Sequence, residues 1–239
     1  MSHRWKPILA CLSLLLFVVV GGCGGGGASG GDGKKSPATA SDAATKTDPA
    51  EATDQASPTP KATQDLDHPV VEIETSKGKI TVELDRKSAV NTVDNFLLYV
   101  TTSFYDRTII HQVFKDQGIL AGGYDTNMVA KPARTPIYNE AANGLKNLRG
   151  TIAMYRRPDT IDSATSQFFI NVADNKALDY KDRTPQGYGY CVFGKVTKGM
   201  EVVDAINAAE VRDTKLQDKT TLERTPAVPI IVMSIRRIR

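Results

Sequence analysis

From residue 70 onward the chain alternates apolar and polar positions in short runs divided by turn residues. Val70 to Glu74 and Lys79 to Leu84 flank Ser76-Lys77-Gly78, the pattern of a hairpin with one face turned to a core. Thr108 to Phe114 reads as a strand that passes through a tight turn into a second short strand, by way of Gln117, Gly118 and Leu120 to Gly122-Gly123-Tyr124. Further strands are predicted over Thr151 to Tyr155, Ser166 to Val172, Gly189 to Val196 and Pro229 to Ile238, with a loop over Arg157 to Ala164. Two stretches change period. In Ala89 to Val100, Val93, Phe96, Leu97 and Val100 recur at spacings of three and four; in Met200 to Ala208, Val202, Val203 and Ile206 do the same. Many short strands with two separated helices predict a mainly β fold, a closed antiparallel barrel plugged or capped by helices.

The first 66 residues do not follow this pattern. Arg4 and Lys6 precede an apolar run from Ile8 to Val20, followed by Gly21-Gly22-Cys23. A positive start, a short apolar stretch and small residues describe a secretory signal peptide, too short for a comfortable membrane span. The cysteine behind the small residues resembles a bacterial lipobox, which implies cleavage after residue 22 and lipidation of Cys23. The expected location is therefore the bacterial cell envelope, lipid-anchored and facing the periplasm or exterior. From residue 24 to about Asp65 the composition is Gly, Ala, Thr, Ser, Asp, Lys and Pro with almost no large apolar residue. Such a segment buries too little to offset its ordering entropy and reads as a tether, spanning roughly 35 Å root-mean-square. The expected organisation is a signal peptide over 1–22, a lipidated tether over 23–66 and one globular domain over 67–239.

Composition adds exclusions. Of the three cysteines, Cys11 leaves with the signal and Cys23 is the acylation candidate. Cys191 alone remains in the domain, so no disulfide is expected within it. A formal net charge of +3 gives no argument for nucleic acid, and Arg236, Arg237 and Arg239 read as a solvated tail. The chain shows no metal-ligand spacing, no Ser/His/Asp order and no nucleotide loop, so neither a metal nor a cofactor is expected. His111 and Gln112 are neighbours in one strand, so regular alternation predicts that they point to opposite faces.

Three segments carry more specific information. They are Asn139-Glu140 through Asn143-Gly144-Leu145 to Arg149-Gly150-Thr151-Ile152-Ala153-Met154, then Asp162-Ser163-Ala164-Thr165-Ser166-Gln167-Phe168-Phe169-Ile170, then Val192-Phe193-Gly194-Lys195-Val196 with Gly199-Met200. Together they resemble the cyclophilin family of peptidyl-prolyl isomerases, in consistent order from about Val70 to Ile238. The resemblance implies an eight-stranded antiparallel barrel capped by two α-helices, with proline-containing polypeptides as partners and a monomer as the favoured state. It matches His111 to the family's histidine and Gln167 to the glutamine that binds substrate backbone. Phe169 and Leu178 match two walls of the proline pocket, and Tyr190 stands where bacterial members often carry tyrosine. Tyr155, at the end of its strand, is a further candidate for substrate contact, and in the loop after Met154 the guanidinium of Arg156 or Arg157 could reach the groove.

Departures from the family fall in the His111 stretch. The arginine expected after the histidine is Gln112, the two large apolar residues of the pocket floor are Gln117 and Gly118, and a second glutamine is Leu120. Rotating an imide bond needs an apolar cup, hydrogen bonds to the flanking backbone and a donor to the imide nitrogen as resonance is lost. A neutral amide in place of a charged donor removes about 1–2 kcal/mol of transition-state stabilisation, roughly 5- to 30-fold in rate. Two missing apolar groups remove roughly 1.5–3 kcal/mol of burial each if nothing replaces them. The expected function is thus a weakened isomerase for secreted or envelope proteins; the alternative is a non-catalytic peptide-binding or chaperone module on the same scaffold.

Overall fold

A computed structural model describes residues 65–239, and the signal, Cys23 and the tether up to residue 64 lie outside the described residues. Ten strands and two α-helices follow in the order β1 (Val70–Thr75), β2 (Gly78–Leu84), α1 (Val90–Thr101), β3 (Thr108–Phe114), β4 (Gly118–Asp125), β5 (Thr151–Met154), β6 (Phe168–Asn171), β7 (Val192–Lys198), α2 (Met200–Asn207), β8 (Val211–Lys215), β9 (Thr221–Pro226) and β10 (Ile230–Arg237). Eight of the strands close an antiparallel barrel in the order β1, β10, β3, β4, β6, β5, β7, β2, with β2 pairing back to β1.

Period-2 alternation fills this barrel. Ile73, Ile80, Val82, Ile110, Ile119, Ile152, Ile170, Phe193 and Ile235 all enter one buried cluster. At its centre Phe96 of α1 meets Tyr105, Phe168 and Phe193 at ring-centroid distances of 5.3, 5.5 and 5.3 Å. The spacing of three and four seen in the sequence is what aims Phe96, Val93 and Val100 at the barrel. Helix α1 has no side-chain cap of its own. Instead the Glu140 carboxylate, from a distant loop, accepts hydrogen bonds from Asn91 N, Asn91 Nδ2, Thr92 N and Thr92 Oγ1 at 3.1, 3.0, 2.8 and 2.6 Å.

Two expected strands are shorter than the pattern suggested: 166–172 contracts to β6, and 189–196 begins only at Val192. Gly189 has φ +75°, and a Cβ there would meet the backbone of residues 178–180 within 2.7 Å, so the chain turns sharply before β7. The hairpin β8–β9 was not expected. Its first strand is exposed at almost every position, so it has no apolar face to produce a period, yet β9 packs along β3.

Candidate functional site

Strand pairing lines up one row of side chains across five neighbouring strands. Gln112 pairs with Leu120, Leu120 with Phe169, Phe169 with Ala153, and Ala153 with Val192. Residues in register on adjacent strands share a face, and here the shared face is the outside of the barrel. Leu120, Ala153, Phe169, Leu178 and Val192 form a second buried cluster, separate from the barrel interior. This explains why β6 is buried at all four positions: Phe168 and Ile170 point inward, while Phe169 is covered from outside.

The cover leaves an apolar depression with about 380 Å³ of empty volume, lined by Phe114, Gln117, Gly118, Leu120, Tyr155, Phe169, Asn171, Asn175, Leu178 and Tyr190. Tyr190 stands edge-on to Phe169 at 5.6 Å and lies nearly parallel to Tyr155 at 6.2 Å. Its backbone N–H donates to Leu178 O at 2.9 Å, tying two walls together. Leu178 ends a short 3₁₀ turn, Lys176–Leu178, that buried amides hold in place. Asn175 Nδ2 donates to Gln117 O at 2.8 Å and Asn171 Oδ1 at 2.6 Å, and Asn147 Nδ2 donates to Leu178 O at 3.1 Å. Among these, Asn171, Asn175 and Phe114 were not foreseen. Asn171 ends an apolar strand and Asn175 precedes the 3₁₀ turn, positions where a polar residue reads as a boundary rather than as part of a pocket.

The floor also differs from the expectation of vacancies at Gln117 and Gly118. Phe114, half-buried, lines the pocket from β3 and partly refills it. Gly118 is a steric requirement: a Cβ there would lie 2.7 Å from Ile170 O. Leu120, 2 % exposed, is floor rather than a polar contact.

Alternation between His111 and Gln112 is broken by a bulge. Ile110 pairs with Ala121 and Gln112 with Leu120, so two residues on β3 advance for one on β4, and His111 is the extra residue. The bulge switches Gln112 and Phe114 to the outer face while Ile110 and Val113 stay in the barrel core. His111 is buried, tilted against Tyr124 at a centroid distance of 4.8 Å. Burial pushes its pKa down to about 4, against smaller upward pulls from the Ile109 backbone and a hydrogen bond with the Gln167 side chain. Its Nδ1 makes no hydrogen bond of good geometry. At neutral pH the ring is therefore uncharged.

Gln167, half-buried, lies across Gly123, where a Cβ would sit 2.7 Å from its Cδ. Gln112 is not free to turn fully to the groove, because its Nε2 donates to Glu223 O on β9 at 3.1 Å. Arg156 corrects the sequence reading most clearly. Its guanidinium is buried behind the pocket and donates to the carbonyls of Gly189, Arg157, Pro158 and Pro185 at 2.8, 2.9, 3.1 and 2.6 Å. Its Cζ lies 5.1 Å from the Tyr190 ring centroid, so it braces that wall and does not enter the groove. Cys191 is buried beside Thr92, and burial pushes its thiol up to about 12, which leaves it inert as a nucleophile. Among the described residues no cluster of three or more metal-ligating side chains occurs.

The family model for cyclophilin type peptidyl-prolyl cis-trans isomerases matches residues 70–233. A peptidyl-prolyl cis-trans isomerase of Streptomyces antibioticus is 44% identical over 166 residues, 70% of this chain and 96% of its own. One from Acinetobacter baylyi is 51% identical over 141 residues, 59% of this chain and 73% of its own. The crystal structure of a Cryptosporidium parvum cyclophilin type isomerase superposes with a TM-score of 0.57 at 21% identity, covering 72% of this chain and 98% of that one, a likeness of fold.

Proposed function

The chain belongs to the cyclophilin-type peptidyl-prolyl cis-trans isomerase family, and from that premise we propose that it isomerises X-Pro bonds in the outer-face pocket, at a reduced rate. The observation that carries this reading is the register row from Gln112 to Val192, roofed by Leu178 and Tyr190 into a depression whose walls are apolar. A proline ring has the size and polarity for such a cup. Gln167, whose backbone carbonyl accepts from the N–H of the wall residue Tyr155 at 2.9 Å, is the donor and acceptor for substrate backbone, its side chain set against His111 and Gly123.

Catalysis here needs no proton transfer. Rotation about the imide costs about 18–20 kcal/mol because resonance is lost, and the nitrogen gains a usable lone pair only in the twisted state. A donor that meets it there lowers the barrier without tightening ground-state binding. Gln112 keeps a second amide N–H beyond the one given to Glu223, but it is neutral. That supports an isomerase slower than one with a charged donor at this position. The same bond also favours a second reading, in which the groove binds proline segments without turning them over.

An isomerisation assay on the purified full chain with a proline tetrapeptide separates the two. We expect acceleration over the uncatalysed rate, and a gain of about 5- to 30-fold in kcat/KM for Gln112→Arg. A wild-type rate equal to the uncatalysed one at high enzyme concentration, with saturable peptide binding retained, leaves the binding module instead.

The lipobox-like run before Cys23 supports a place for this activity: on proteins newly delivered to the envelope, from a lipid anchor. Cys23→Ala is expected to shift the chain from the membrane to the soluble fraction and to abolish incorporation of labelled fatty acid. An unchanged distribution and mass would rule the anchor out.

A further inference from the structure

The reaction wants a donor with charge, yet none of the residues lining the pocket is charged. Two arginines approach its walls. Arg156 is buried and its guanidinium is committed to backbone carbonyls. The other is Arg224 on β9, exposed, with Cζ 5.2 Å from the ring centroid of Phe114, which lines the pocket. Among the described residues the Arg224 guanidinium makes no hydrogen bond and no ion pair, and it lies over the Phe114 ring.

Several features put Arg224 there. Leu222 and Thr225 are buried, which seats β9, and Gln112 Nε2 grips the carbonyl of Glu223, the residue immediately before it. Between the pairs Arg212–Thr225 and Thr214–Leu222, two residues on β9 face one on β8, so Glu223 and Arg224 form a bulge. Arg224 takes a left-handed backbone, φ +56°, and its N–H donates to Asp213 Oδ1 at 3.1 Å. Bulges of this kind re-aim a side chain, commonly beside an active site. Here the result is an exposed cation laid over a wall residue of the pocket with all its guanidinium donors unspent. A cation–π contact at an exposed site is weak, so exchanging it for a peptide oxygen costs little.

We propose that Arg224 is a substrate-contacting residue of this site, the hairpin-borne cation that hydrogen-bonds the carbonyl oxygens of the peptide flanking the proline in the pocket. The inference rests on the isomerase reading and extends it to a second element: β8–β9 is part of the site, and Gln112 serves partly as its latch. The guanidinium matches a peptide carbonyl that moves as the imide twists, which makes the contact sensitive to the transition state as well as to binding.

The test compares full-length wild type, Arg224→Met, Arg224→Lys and the double variant Arg224→Met/Gln112→Arg. Methionine keeps apolar cover over Phe114 and removes the charge. Each is assayed for kcat/KM on a proline tetrapeptide, for peptide affinity by fluorescence titration and for thermal midpoint. The expected result is a fall of about 10- to 100-fold in kcat/KM for Arg224→Met with an unchanged midpoint, a smaller fall for Arg224→Lys, and recovery in the double variant. An active wild type with Arg224→Met equally active overturns this inference and leaves the isomerase reading intact. Should wild type prove inactive, the isomerase reading fails alone if Arg224→Met still weakens peptide affinity at least tenfold, and both fail if affinity is unchanged or absent.

Discussion

Substituting Gly123 with alanine places a methyl group 2.7 Å from Gln167 Cδ and 2.9 Å from both its Cγ and its Nε2. Ordinary carbon contacts lie at about 3.5–4.0 Å, so the Gln167 side chain has to move by about 1 Å. The Gly123 backbone does not lie at positive φ, so alanine fits the chain and the clash falls on a flexible side chain alone. Turning Gln167 off its rotamer costs about 0.5–1.5 kcal/mol. Loosening its hydrogen bond with buried His111 adds about 1 kcal/mol. Stability should therefore fall by only about 1–3 kcal/mol in urea denaturation. Activity should fall much further, because a catalytic group displaced by about 1 Å commonly loses on the order of 100-fold. Gly122→Ala is the contrasting variant. Gly122 has φ +87° and its Cβ would lie 2.7 Å from the backbone oxygen of Ser166, which cannot swing aside, so there the loss appears first in stability. If Gly123→Ala keeps full kcat/KM while Gln167→Ala loses it, Gly123 does not set the position of Gln167. If both keep it, Gln167 has no part in the site.

Two further outcomes follow, one from the buried His111 ring and one from the half-buried Glu140 carboxylate. Because the folded pKa of His111 is about 4, below the 6.5 of a free histidine, the unfolded chain alone takes up a proton between these values. This contribution is absent above pH 6.5, grows as pH falls, and reaches a loss of roughly 3 kcal/mol below pH 4. Urea midpoints of wild type and His111→Gln at pH 7 and pH 4.5 should diverge by this route, since the carboxylates titrate in both; parallel curves would falsify the assignment. Glu140→Ala removes the carboxylate that accepts four hydrogen bonds at the start of α1. A loss of about 1–3 kcal/mol is expected, with kcat/KM of the remaining folded protein unchanged; equal stability would show that solvent replaces the cap.

Much of the scaffold was legible in the chain. Strand alternation fixes which residues enter a barrel, and the three-and-four spacing around Phe96 fixes the face of α1, because both periods report burial of nearby residues. The Ser166-to-Ile170 segment likewise carried Gln167 and Phe169 by identity. What tertiary closure decided is finer and lies between segments. The bulge at His111 is a count of residues on β3 against residues on β4, visible only once the strands pair, and it sets Gln112 and Phe114 on the pocket face. Arg156 reads as a loop arginine until four carbonyls converge on it. The cap at Glu140 lies 49 residues from Asn91, beyond any local signal. The hairpin β8–β9 has one strand with no buried face, so its sequence carries no period, and its place beside the pocket comes from the latch of Gln112 on Glu223 and the burial of Leu222 and Thr225. A sequence records which side chains avoid water; which of them meet is settled by the closing of the barrel.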